Sequence, residues 1–247
     1  MNIGLYQSAA SLSALERWQD AVAQNITSSQ VTGYRKRTVD FSALAGGEWE
    51  VPSSSDGNTS VSAVFPKATS AINFQGGDTE PTQRDLDFAI QGEGFFQVQA
   101  PDGTMTYSRG GEFKVGSDRI LVNSAGQQVM SDSGSPITLL PSGGKINVNP
   151  NGTISQGATV LGRIAVVKFD DPGSLTPVAG GTFAATNGAT PIPVDKPDLL
   201  QGYLEASNVT PMREMVDMVL ISRSYEANQK VIKSVDEQMQ KTLDALG

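Results

Sequence analysis

Asp85, Asp87 and Glu93 fall within nine residues of a 247-residue chain, and a close group of carboxylates is what hydrolytic acid–base chemistry uses. One carboxyl held protonated and another held ionised would protonate a leaving group and activate a water. The plain alternative is a solvated strand edge in an acidic segment. Arg35-Lys36-Arg37 carries charge that would suit nucleic acid phosphates or lipid headgroups. At the exit of a helix the same three residues equally complement the helix dipole or form an ion pair between subunits. Gly92-Glu93-Gly94 lacks the third glycine of a nucleotide fingerprint and leads into a strand, so it reads as a turn. The chain has no cysteine and no histidine, which removes disulfides, thiol nucleophiles, zinc sites built on Cys or His, and His-based triads. An enzyme is therefore not expected, and no catalytic, cofactor-binding or metal-binding residue is assigned.

The elements around these residues point to assembly. Leu5, Ala9, Leu12, Leu15, Trp18, Val22 and Ile26 recur every three or four residues, and Met218, Tyr225, Ile232, Met239 and Leu246 recur every seven. Each series draws an apolar stripe along a helix. Ile221 and Val235 add coiled-coil spacing to the second stripe, with the polar Asn228 in the same register as a device for alignment or as a side chain turned to solvent. Met212, Met215 and Met218 read as packing at helical spacing or as a promiscuous groove. Trp18 and Tyr225 could pair across the two helices or sit between subunits.

The first helix is predicted from about Leu5 to Ser28, stopping before Gly33, and the last from Pro211 nearly to Leu246, with Thr210 as its cap. Tyr34 to Phe41 reads as extended, and 43–69, rich in Gly, Ser and Pro, as an irregular connector. Beyond Phe74, turn sequences predict hairpins. Pro101-Asp102-Gly103-Thr104, Ser124-Ala125-Gly126 and Pro150-Asn151-Gly152 each separate two short strand-like runs. The fold class expected is α+β, with a coiled-coil region made from the two ends and a mainly antiparallel central β domain, a partly closed barrel or a sandwich. The division expected is an N-terminal helix over 1–36, an extended connector over 37–75, a β domain over 76–206 and a C-terminal helix over 207–247.

Net charge is −8, and all of it lies between residues 41 and 207, since the two ends are near neutral. An acidic middle argues against a nucleic acid partner, and neutral ends can pack together without self-repulsion. No cationic start precedes a short apolar stretch and no run approaches the ~20 apolar residues of a bilayer span, so neither a cleaved signal peptide nor direct membrane insertion is expected.

Several blocks carry a family resemblance. Asn25-Ile26, Thr32-Gly33-Tyr34 and the basic exit to Asp40-Phe41 resemble the N-terminal signature of the bacterial flagellar rod and hook proteins. Gly94-Phe95-Phe96-Gln97-Val98, the run from Tyr107 to Phe113, and Leu121-Val122-Asn123 with Gly126 are similar to that family's β-domain blocks. Gln201-Gly202, Leu204-Glu205, Ser207-Asn208-Val209, Glu214-Met215-Val216, Arg223, Tyr225, Glu226 and Asn228 resemble its C-terminal block. Thr27, Ser28 and Val31 depart from the usual Asn-Leu-Ala-Asn-x-x-Thr-x-Gly-Phe pattern. Length and the short acidic middle look more like a rod subunit than the longer hook subunit, and the opening Leu5-Tyr6 more like the proximal rod type than the distal.

The resemblance implies a structural subunit of the periplasm-spanning rod of the basal body, exported from the cytoplasm through the flagellar type III apparatus. Its partners would be itself and other rod and hook subunits. The assembly interface it implies comprises Leu5, Leu12, Leu15, Trp18, Val22, Asn25, Ile26, Gly33, Tyr34, Asn208, Met215, Met218, Tyr225, Asn228, Ile232, Val235, Met239 and Leu246. The rival reading is an exported cell-wall or adhesin-type binding module dimerised by its helices.

Overall fold

The computed structural model describes residues 3–51, 59–141, 143–186 and 188–245. They fall into two compact units. The first is made of Met1–Thr27, Arg37–Ile72 and Thr210–Gly247, the second of Ser28–Lys36 and Asn73–Val209.

The first unit holds α1 (Ile3–Thr27), strands β1 (Arg37–Val51) and β2 (Thr59–Ile72), and the C-terminal helix α2 (Pro211–Asp244). The sequence of α1 contains no proline, and that of α2 only Pro211 in its first turn, where a missing N–H costs nothing. The Thr210 carbonyl accepts the amides of Arg213 and Glu214 at 3.0 and 3.2 Å. At 34 residues α2 extends for about 50 Å.

Strands β1 and β2 form an antiparallel ribbon that pairs Arg37 with Ile72 at one end and Val51 with Thr59 at the other. This corrects the irregular connector expected over 43–69. The residues there are small but alternate with Leu44, Val64 and Phe65, and the two glycines coincide with a register shift between Ala45 and Glu48 instead of a break. A two-stranded ribbon is marginal by itself, and here α1 covers it. Trp18 packs edge-on against Phe41 at 5.7 Å, the Arg17 guanidinium donates to the Ala68 carbonyl at 3.0 Å, and Gln7 donates to the Val64 carbonyl at 3.2 Å. The Trp18–Tyr225 pairing considered from sequence is thus replaced by a ring contact within the N-terminal half.

The second unit is built of short strands: β3 (Thr79–Pro81), β4 (Phe88–Gln91), β5 (Phe95–Gln99), β6 (Met105–Ser108), β7 (Phe113–Val115), β8 (Leu121–Asn123) and β9 (Gln128–Val129). There follow β10 (Ile146–Val148), β11 (Thr153–Gln156), β12 (Thr159–Arg163), β13 (Val166–Lys168), β14 (Leu175–Pro177), β15 (Thr182–Ala185), β16 (Ile192–Pro193), β17 (Asp198–Gln201) and β18 (Tyr203–Glu205). The largest sheet runs β14-β15-β6-β5-β9-β8-β7, with β13 also on β5 and β16 on β13. Strands β10, β11 and β12 make a second sheet. The hairpins expected around residues 101–104, 124–126 and 150–152 are all present, as β5–β6, β8–β9 and β10–β11. The last two strands return to the first, β17 on β4 and β18 on β3. Phe88, Phe96, Val98, Phe113, Leu121, Ile154, Ile164 and Leu199 form one core beneath these sheets.

Candidate functional site

In the first unit α1 packs on α2 and on both ribbon strands. On α1, Leu15, Val22 and Asn25 are buried, while Leu5, Leu12, Trp18 and Ile26 are half-buried. On α2 the covered face runs through Glu214, Met218, Ile221, Tyr225, Asn228, Ile232 and Val235, of which Glu214 and Ile221 are fully buried. Met215 and Met239 are exposed, and Leu246 lies outside the described residues. The expectation that the methionines pack as a group is corrected here. Met218 is half-buried, but Met212 and Met215 turn away from the covered face, because each step of three residues rotates the helix phase by about 60°. Asn228 is half-buried on the covered face instead of turned fully to solvent. It donates to the Ser224 carbonyl one turn back at 3.1 Å.

Asn25 is the polar centre of this unit. Its amide donates to the Arg37 carbonyl at 2.8 Å and to Glu214 Oε2 at 2.9 Å, and its Oδ1 accepts the Arg37 amide at 2.8 Å. One side chain thereby joins the end of α1, the start of β1 and the first turn of α2. Glu214 also sits where the positive end of a helix favours a carboxylate. Asn25→Ala removes all three bonds from a fully buried site, and is expected to cost the first unit about 2–3 kcal/mol. Urea unfolding followed by tryptophan fluorescence reads this directly, since Trp18 and Trp49 both belong to that unit. A loss no larger than that of one surface hydrogen bond would show that Asn25 does not hold it.

In the second unit Gly33, Tyr34 and Arg35 are buried. Arg35 Nη2 lies 2.7 Å from Glu205 Oε1 and Arg109 Nε 3.4 Å from Glu205 Oε2, with all three side chains almost completely covered. Glu205 Oε1 also accepts the Gly77 amide at 3.0 Å, and the Gly33 amide donates to the Glu205 carbonyl at 2.8 Å. Arg109 donates to the carbonyls of Ile90 and Gly92 and lies 5.8 Å over the Phe95 ring. Burial pushes the Arg109 guanidinium below its ordinary value, and the charge of Glu205 opposes that shift. Asn208 closes the same region by accepting the Lys36 amide at 2.6 Å and donating to the carbonyls of Asn73 and Gln75.

Two family profiles match the chain. One, described as the flagellar hook protein FlgE/F/G D1 domain, covers residues 89–156, and the other, described as the flagellar basal body rod FlgEFG protein C-terminal, covers residues 200–245. The flagellar basal-body rod protein FlgF of Caulobacter vibrioides is 34% identical over 248 residues, spanning 100% of this chain and 99% of its own. The chain belongs to the flagellar basal-body rod protein family. FlgF of Mesorhizobium japonicum is 29% identical over 252 residues with the same coverage, and FlgG of Borreliella burgdorferi is 29% identical over 255 residues, covering 95% of each chain. Full-length agreement with the FlgF relatives favours the FlgF type. The protein is a structural rod subunit, located with the basal body, and the binding-module alternative finds no support among these relatives.

Two of the residues that suggested chemistry, Asp87 and Arg35, are held inside the second unit of this rod protein. Asp87 is fully buried beside Arg84 at 3.5 Å, while Asp85 and Glu93 are exposed, so neither a substrate-facing carboxylate pair nor a wholly solvated edge describes the group. Arg35 is not an exposed helix exit either. Its charge is consumed inside the second unit by Glu205, a partner 170 positions away that local spacing does not reveal. Glu205, Arg109 and Glu214 stand in motifs quoted for the resemblance, but nothing in local pattern marks them as buried. The one available signal was an acid in the first turn of a helix, at Glu214.

Proposed function

We propose that the subunit polymerises through α1 and α2 into a hollow shaft that passes torque toward the hook. It leaves the cytoplasm unfolded through the flagellar export apparatus, and its neighbours are further copies of itself and other rod and hook subunits. The FlgF-type likeness favours the proximal part of the rod. The observation that carries the reading is that the first turns of α2 are apolar on two sides, one covered within the chain and one left exposed at Met212, Met215, Val216, Val219 and Leu220. A contiguous exposed apolar patch of this kind marks a surface that assembly covers. Leu15, Val22 and Asn25 then serve within the subunit, and the exposed members of the candidate set, Met215 and Met239, serve between subunits. No helix among the described residues is long and apolar enough to cross a membrane.

The test is deletion of residues 211–247 in the flagellated host. The truncated chain is expected to accumulate in cells and to be missing from purified basal bodies. Its incorporation at normal levels would refute the proposal.

A further inference from the structure

We propose that the free face of α2 docks on the free face of α1 in the next copy of the chain, so that the two helices form a directional, head-to-tail contact. This rests on the polymerisation reading above and specifies which surfaces meet. On α2, Met212, Val216 and Val219 stand at spacings of four and three on the side opposite the covered seam, flanked by Met215 and Leu220. Their exposures run from 47% for Leu220 to 73% for Met212. The patch is confined to the first turns. One step further along the same line the residues become Arg223, Glu226 and Lys230, all exposed.

The free face of α1 has the complementary character. Ala9, Ser13, Glu16, Asp20 and Ala23 are all exposed and also recur at spacings of four and three. Side chains there are small or acidic, where those of α2 are bulky and end in Arg223. Bulky residues fit over small ones as knobs into holes, and Arg223 meets Glu16 and Asp20 with opposite charge. Two α2 faces brought together in parallel would instead place Arg223 against Arg223, and two α1 faces would oppose their acids. The surfaces that match are different from each other, which is the condition for a contact that repeats from subunit to subunit instead of closing as a two-fold dimer.

The absence of native cysteine makes the test direct, because introduced thiols are the only ones in the chain. Val219→Cys and Ser13→Cys variants, each full length, are expressed separately and together in the flagellated host, and isolated basal bodies are oxidised. A disulfide-linked dimer of the chain is expected when both variants are present and absent with either one alone. A dimer from Val219→Cys alone would overturn the head-to-tail pairing. So would a link from Val219→Cys to a different basal-body protein, or no link while both variants are incorporated at normal amounts. None of these would touch the polymerisation reading, which stands or falls with the deletion experiment. Charge reversal gives an independent arm. Arg223→Glu is expected to reduce incorporation, and Glu16→Arg with Asp20→Arg on the same chain to restore it; failure to restore counts against the contact.

Discussion

Replacing Glu205 by Ala is expected to remove about 3–5 kcal/mol from the stability of the second unit, because it leaves two guanidinium groups buried without their shared counter-charge. Arg35 is completely covered, and Glu205 is the acid within reach of both Arg35 and Arg109. Arg109 keeps the carbonyls of Ile90 and Gly92 after the change, whereas Arg35 Nε and Nη1 have no hydrogen-bond partner among the described residues to fall back on. The Gly77 amide also loses its acceptor. For a folded unit of this size the midpoint of thermal unfolding should drop by roughly 10 °C. Calorimetry of the full chain should resolve it, and tryptophan fluorescence, which reports only the first unit, should move much less. Glu205→Gln keeps an acceptor for Gly77 but no charge, so it is expected to fall between Ala and the native residue. A loss under about 1 kcal/mol for Glu205→Ala would place these groups in the class of solvent-screened surface pairs and overturn the assignment.

What could be read in advance follows the range of the forces involved. The helical stripes, the Pro211 start and the turn at residues 101–104 are set by neighbours within a few positions, and the helices and hairpins they imply are found. The β1–β2 ribbon is different. Its strands depend on pairs such as Leu44 with Phe65 and Phe41 with Ala68, across a span that composition alone marks only as small and polar. Strand pairing of this kind gains its stability from the partner and from α1, not from intrinsic preference. The buried charges were hidden for the same reason. Arg35 sits in a basic triplet and Glu205 in a strand far along the chain, and only the fold makes one the counter-ion of the other. Of the residues assigned to assembly, helical period identified which positions are apolar but not which face is already used. Leu15 and Met239 both fit their stripes, and the structure buries the first and exposes the second.

Gly33→Ala is expected to destabilise the second unit by about 3 kcal/mol or more, well beyond what its backbone angle alone would cost. From sequence, this glycine reads as the stop of the first helix; in the structure α1 ends at Thr27 and Gly33 lies in a turn at φ +68° for another reason. A Cβ at this position would overlap the Gly110 nitrogen and the Arg109 carbonyl carbon, so two stretches of backbone touch where any side chain would keep them apart. Gly103, in the β5–β6 turn, provides the comparison. It has φ +86°, and no described atom lies within 4 Å of where an added methyl would sit, so Gly103→Ala should cost only the left-handed strain of about 1–2 kcal/mol. The excess at Gly33 measures the steric part. That part has few routes to relief, because Gly33 is tied to the Glu205 carbonyl and Arg109 to the Glu205 carboxylate, and moving either chain apart strains the same three charges. Gly33→Ala and Glu205→Ala should therefore be strongly non-additive, the double variant losing much less than the two single losses combined. Additive losses, or equal losses at Gly33 and Gly103, would show that the close approach at Gly33 does not hold the charged centre together.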